Sequence, residues 1–179
     1  MTSRTTFLPL CEADTEALLP VLYQEAVFEF IGGLPAKDAF LLDLQRAIEG
    51  PPPGLDEQWR HYAVRLADSG ALIGRVEVTL HHGLAEIGLL LNPAFWGKGY
   101  ALEALHWLHG QLACAPDTPA CWATVHPDNL RSQGLLRKAG YVSVQGEALP
   151  VLYSMDEGDL VFRRLPDATG QAVRTEQGG

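Results

Sequence analysis

The sequence predicts a mixed α/β (α+β) domain, with one twisted sheet of about seven strands and helices on both of its faces. Two observations carry this. Segments that alternate apolar and polar residues crowd the first half, joined by short turns. The second half alternates strand, helix, strand, helix. At 179 residues the chain fits one domain, placed at residues 1–165, with a polar tail at 166–179.

The elements follow in order. TTFLPL (5–10) is a short first strand. ADTEALLPVLYQEAVFEFIG (13–32) carries Ala17, Leu18, Val21, Leu22, Val27 and Phe28 at helical spacing, with Asp14 or Thr15 as N-cap and Gly32-Gly33 as its end. PAKDAFLLDLQRAIEG (35–50) is a second helix closed by Gly50. PPPG is a stiff connector. WRHYAVRLA (59–67), ALIGRVEVTL (71–80) and LAEIGLLLNP (84–93) are strands separated by DSG and HHG. GYALEALHWLHGQLA (99–113) is helical, ACWATVHP (120–127) a strand, DNLRSQGLLRKAGYV (128–142) a helix ending at Gly140. YVSVQ (141–145) and DLVFRRL (159–165) are the last strands.

Bulk composition excludes several classes. Hydrophobic residues are 47% and charged residues 20%, which describes a globular chain and not a disordered one. A formal net charge of −9 argues against nucleic acid as a partner, because phosphate backbones need a basic face. Cys11, Cys114 and Cys121 form no CxxC and leave an odd count, which points to reduced thiols and a cytoplasmic setting. The N-terminus has no apolar core of a signal peptide, and no run is long enough to span a membrane. His81-His82 is not expected to hold a metal, since adjacent strand residues point apart and no acidic partner has ligand spacing.

The segment NPAFWGKGYALEA (92–104) sets the functional question. Gly97-Lys98-Gly99 turns the chain from an apolar strand into a helix. It is not a phosphate loop of the Gly-Lys-Ser/Thr type, because Gly99 follows Lys98. It is not a dinucleotide fingerprint either, because Leu102 stands where the third glycine belongs. The free N–H groups of a helix start still favour an anion, and glycine admits its close approach. A plain strand–helix corner explains the same glycines.

The spans EIGLLLNPAFWGKGYALEA and VHPDNLRSQGLLRKAGYV together resemble the GNAT acetyltransferase superfamily, in particular the branch with the ribosomal-protein N-acetyltransferases. The resemblance is strong over residues 86–142 and looser over 5–165. Trp96 stands where the wider family has Arg or Gln. The resemblance implies a twisted mixed sheet splayed near its centre, acetyl-CoA as cosubstrate, no metal, and acyl transfer to a primary amine. It implies backbone binding of the pantetheine arm at Leu89, Leu90 and Leu91, and a pyrophosphate cradle formed by Trp96, Gly97, Lys98, Gly99, Tyr100 and Ala101. Asn129 is then a pantetheine ligand as well as an N-cap, with Ser132 one turn on, or solvent, as proton donor to the leaving thiolate, since Leu136 occupies the place of the family's tyrosine. Glu86 is the expected base. The acceptor is a protein N-terminal amine, with an aminoglycoside or polyamine as alternative, and a non-catalytic CoA sensor as the reading from another class. The branch allows a homodimer. His126, Phe30, Trp59, Tyr62, Arg137 and Lys138 have ordinary structural readings beside their functional ones.

Overall fold

The computed structural model describes residues 3–114, 119–146 and 148–166. The expected polar tail therefore lies, but for Pro166, outside the described residues. The strands are β1 (Thr5–Pro9), β2 (Glu57–Leu66), β3 (Leu72–His81), β4 (Leu84–Leu91), β5 (Cys121–Val125), β6 (Val142–Val144) and β7 (Leu160–Arg164). The helices are α1 (Glu12–Leu22), α2 (Glu25–Phe28), α3 (Lys37–Glu49), α4 (Tyr100–Ala113) and α5 (Leu130–Lys138). They build a seven-stranded sheet in the order β1-β2-β3-β4-β5-β7-β6. Only β4 and β5 run parallel; the other neighbours are antiparallel. Among the described residues no helix is long and apolar enough to cross a membrane.

The period-2 alternation of each strand divides the core into two layers. On β4, Ala85, Ile87 and Leu91 pack with Leu105, Leu108 and Leu112 of α4 and Leu136 of α5. On the opposite face Leu90 lies against Leu18, Leu22, Phe40 and Leu44 of α1 and α3. Leu18, Leu22 and Leu44 are fully buried. At about 1.5–3 kcal/mol for each large apolar side chain, these contacts fasten α1 and α3 to the sheet more firmly than local propensity does.

Two sequence expectations change. The N-cap of α1 is Cys11, not Asp14 or Thr15; Asp14 sits at the third helical position, where its carboxylate accepts the Cys11 N–H at 3.1 Å and pairs with Arg65 of β2. The long helix predicted over 13–32 breaks at Tyr23-Gln24 into α1 and α2. There the Gln24 side chain and Asn92 Nδ2 each donate to the carbonyl of Val21 at 2.9 Å, and Tyr23 donates its hydroxyl to Pro35 O. Tertiary partners cap a helix that periodicity alone would continue.

Candidate active site

The sheet opens beside β4. Its parallel pairing with β5 is confined, among the described residues, to Ala85–Cys121 and Glu86–Trp122. Beyond Glu86 the two strands part while β4 stays paired with β3 up to Leu91. The five residues Ile87–Leu91 thus leave a strand edge of about 16 Å unpartnered in the middle of a sheet. Hydrogen bonding identifies what it presents. Ala85 donates toward Ala120 beside β5, and Asn92 donates toward Ile73 of β3. By alternation, Ile87 and Leu89 aim N–H and C=O at the opening, whereas Leu90 bonds β3. Leu91 turns its carbonyl to Trp96 Nε1 at 2.8 Å. Of the three leucines expected to bind on their backbone, Leu89 offers both its N–H and its C=O, Leu91 has its carbonyl taken by Trp96, and Leu90 turns to β3. Such an edge accepts an extended, amide-bearing chain as an added strand.

At the end of β4 the chain makes a short 3-10 turn, Pro93–Phe95, begun by Asn92, whose Oδ1 accepts the Ala94 N–H. Gly97 (φ 71°) and Gly99 (φ 86°) then adopt left-handed backbone, which a side chain disfavours, and Gly99 is the N-cap of α4. The glycines open the first turn of a 14-residue helix, where unpaired N–H groups and the macrodipole favour an anion. Three cations gather here in a chain of net charge −9. Lys98 lies in the turn. Arg4 donates to Lys98 O at 3.0 Å, stacks 4.6 Å over Tyr100 and pairs with Glu103 at 3.1 Å. Arg131 of α5 stacks 3.4 Å over Trp96, so that residue joins the two walls of the opening. Arg4 and Arg131 were not singled out in the sequence. Arg4 lies 94 residues before its partner, and nothing in a strand-leading arginine marks it.

Across the opening, Asn129 Oδ1 accepts the Ser132 N–H at 3.1 Å, which makes Asn129 the N-cap of α5 and leaves its amide N–H₂ free of that duty. Ser132 is half-buried one turn on. Leu136 belongs to the core below α4, so no phenol reaches the opening from that position. Phe30 meets His126, at the end of β5, with ring centroids 5.4 Å apart. The segment after α2 thus reaches across to β5. Tyr62 instead packs edge-on against Trp107 on the α4 side, and Trp59 donates to Glu57.

Glu86 is 6% exposed and fully engaged. Its Oε2 accepts from Tyr153 N–H at 2.9 Å and lies 2.9 Å from His81 Nε2; its Oε1 accepts from Ser154 N–H at 2.6 Å. Burial pushes its acidity toward higher pKa, but the hydrogen bonds from Ser154, Tyr153 and His81 outweigh it and hold the carboxyl below its usual value. These bonds anchor the loop before β7 to the closed end of the β4–β5 pair. They engage both oxygens of the residue expected to be the base. His82, in the turn at φ 46°, brings its Nδ1 within 3.2 Å of His81 Nδ1, so the adjacent imidazoles converge and do not point apart.

The same sheet face carries a polar group that spacing did not reveal. His61 of β2, Glu77 of β3 and Gly88 of β4 stand in register. His61 Nδ1 is 3.1 Å and Arg75 Nε 3.3 Å from Glu77 Oε2, and Arg75 Nη2 donates to Asp43 of α3 at 2.9 Å. Arg75 is 8% exposed; its buried Nε and Nη1 have no hydrogen-bond partner among the described residues, Nε making only the ion-pair contact with Glu77. It lies in the wall of a cavity of about 380 Å³ beneath Phe28, Gly33, Pro35 and Phe40.

Residues 4–142 match the profile of the acetyltransferase (GNAT) domain. The chain belongs to the GNAT acetyltransferase family. Solved structures of similar fold include the acetyltransferase of Salmonella typhimurium that modifies the N-terminal serine of ribosomal protein L7/L12 (17% identity, TM-score 0.74, covering 93% of this chain and 97% of that one). RimL, a ribosomal L7/L12 alpha-N-protein acetyltransferase in its apo form, is similar at 16% identity and TM-score 0.73, over 92% and 91% of the two chains. Spermidine N-acetyltransferase from Vibrio cholerae, in complex with CoA and spermine, is similar at 18% identity and TM-score 0.66, over 90% and 94%. No curated protein is significantly similar in sequence. GNAT acetyltransferases use acetyl-CoA, and the acceptors named for these neighbours differ.

Proposed function

We propose that this GNAT protein transfers the acetyl group of acetyl-CoA to a protein N-terminal amine by direct aminolysis of the thioester. The observation that carries the cofactor half is the unpartnered β4 edge running into the Gly97–Gly99 turn. Leu89 offers an N–H for the thioester carbonyl and backbone groups for the pantetheine amides. Gly97 to Ala101, flanked by Arg4, Lys98 and Arg131, suit a pyrophosphate. Asn129 holds the arm from the other wall, and Ser132 supplies a hydroxyl for the leaving thiolate. Glu86 contributes at a remove, by holding Tyr153 and Ser154 in place.

The acceptor half rests on Arg75. A polyamine or aminoglycoside needs several carboxylates in line and gains nothing from a buried guanidinium. A peptide brings carbonyls to the orphaned Nη1, while Asp43 and Glu77 keep the region net negative for the entering ammonium. The test is release of CoA thiol from acetyl-CoA with Ser-, Ala- and Met-initiated tetrapeptides against spermidine and an aminoglycoside. Turnover of the tetrapeptides above the polycations is expected. Preference for spermidine overturns the acceptor assignment, and CoA binding without turnover of any amine overturns the reaction.

A further inference from the structure

We propose that Glu77 is the carboxylate that receives the acceptor amine, with its Oε1 presented over Gly88 beside the cleft-facing backbone of Leu89. The proposal rests on the acyl-transfer reading and names the residue that orients the nucleophile in it.

Gly88 holds the position on β4 opposite Glu77. Its backbone is not in the left-handed region, so conformational freedom does not explain the glycine. Space does. A Cβ at position 88 would stand 2.6 Å from Glu77 Oε1, 3.0 Å from Cγ and 3.1 Å from Cδ. Any side chain there would push the carboxylate away, so the glycine is what lets Glu77 fold across β4 toward the opening. Register places the two residues directly opposite each other, and Gly88 immediately precedes Leu89.

The two oxygens of Glu77 are treated differently. Oε2 is hydrogen-bonded to His61 Nδ1 and ion-paired with the Arg75 guanidinium through Nε, and Arg75 is itself tied to Asp43. Oε1 has no hydrogen bond among the described residues, and the side chain is 27% exposed. One oxygen is fixed and the other is offered, which is how a protein orients a carboxylate toward a ligand. Burial works to raise its pKa, but the Arg75 charge and the His61 bond bring it to about 2. Glu77 therefore stays an anion at any working pH. It binds and aims an ammonium, and is too weak a base to keep the proton. Glu86, two residues along on the same face, has no free oxygen to do this.

The bound ammonium gives one proton to water. The nitrogen lone pair forms the C–N bond at the thioester carbon, the C–S bond breaks, and the sulfur leaves with its electron pair. The second amine proton departs as the amide forms, and the thiolate takes one proton. The sum is ammonium plus thioester to amide, thiol and one proton.

The experiment compares wild type, Glu77→Gln, Glu77→Asp and Gly88→Ala in the full chain. Thiol release is measured with a Ser-initiated tetrapeptide, a cationic amine, and with hydroxylamine, which is uncharged at neutral pH. Acetyl-CoA affinity is measured by calorimetry. Glu77→Gln and Gly88→Ala are expected to lower kcat/KM for the tetrapeptide about 10- to 100-fold, chiefly through KM, to spare hydroxylamine, and to leave acetyl-CoA affinity within about twofold. Glu77→Asp recovers part of the loss. An equal loss with hydroxylamine, or tetrapeptide turnover within about threefold of wild type in either variant, overturns the assignment. Where Glu77→Gln does not fold, Gly88→Ala and Glu77→Asp decide it alone. Wild-type inactivity toward every amine, hydroxylamine included, overturns the acyl-transfer reading instead.

Discussion

Replacing Glu86 by Gln separates an anchor from a base. The carboxylate accepts two backbone N–H groups, from Tyr153 and Ser154, and contacts His81. Glutamine keeps one acceptor oxygen but turns an N–H₂ toward at least one of those donors. A buried donor left without its partner costs about 1–3 kcal/mol, and the remaining bonds lose their charge assistance. We expect a loss of about 3 kcal/mol, or roughly 6–12 °C in Tm for a domain of this size. The sign with pH follows from the lowered pKa. Glu86 stabilises the fold above its unfolded value of 4.5, and that contribution fades as pH falls below it, so the gap between wild type and variant should narrow in acid. Thermal melts at two pH values measure the loss, and hydrogen exchange at the amides of Tyr153 and Ser154 localises it. A drop in Tm under about 2 °C with unchanged exchange of both amides, alongside a large fall in kcat, would refute the anchoring role and return Glu86 to the chemistry.

Gly99→Glu places a side chain on a backbone at φ 86° and a negative charge in the first turn of α4, so CoA should bind at least about tenfold more weakly by calorimetry; unchanged affinity would remove the turn from the cofactor site. Arg4→Ala should leave Tm near wild type, because the Arg4 side chain is 51% exposed, yet weaken CoA more in low salt than in high, a difference read by repeating the titration at two ionic strengths. Trp96→Ala removes the bond to Leu91 O and the stacking surface for Arg131; CoA affinity and the β4 end should loosen together, seen as a raised Kd and faster exchange at Leu91 and Asn92. Glu77, held at about 2, stabilises the fold above pH 4.5 and loses that contribution between 4.5 and 2; urea melts at pH 7, 4 and 3 should fall more steeply for wild type than for Glu77→Gln.

Much of the fold was legible because its signals are local. Alternating or apolar runs between turn residues marked all seven strands, and helical segments closed by such residues marked α3, α4 and α5 within a few residues. The break between α1 and α2 was not legible, since Asn92, 71 residues away, caps Val21 there. The glycine turn was legible as a motif because positive φ must be written in glycine. The base was not. Glu86 and Glu77 are both glutamates on neighbouring strands of one face, and nothing in their spacing tells which carboxylate is already spent on backbone N–H groups.

The sequence by itself determined the strand segments, helices α3 to α5, the glycine turn into α4, and the family resemblance that a match over residues 4–142 bears out. These depend on periodicity and on residues within a dozen positions of each other. Only the tertiary structure decided that β4 and β5 part after Glu86, that Leu89 and not Leu90 faces the gap, that Arg4 and Arg131 flank the turn, and that Gly88 makes room for Glu77. Strand pairing and side-chain contact join residues far apart in the chain, and the hydrogen bonds a carboxylate accepts are fixed only when those strands and loops meet.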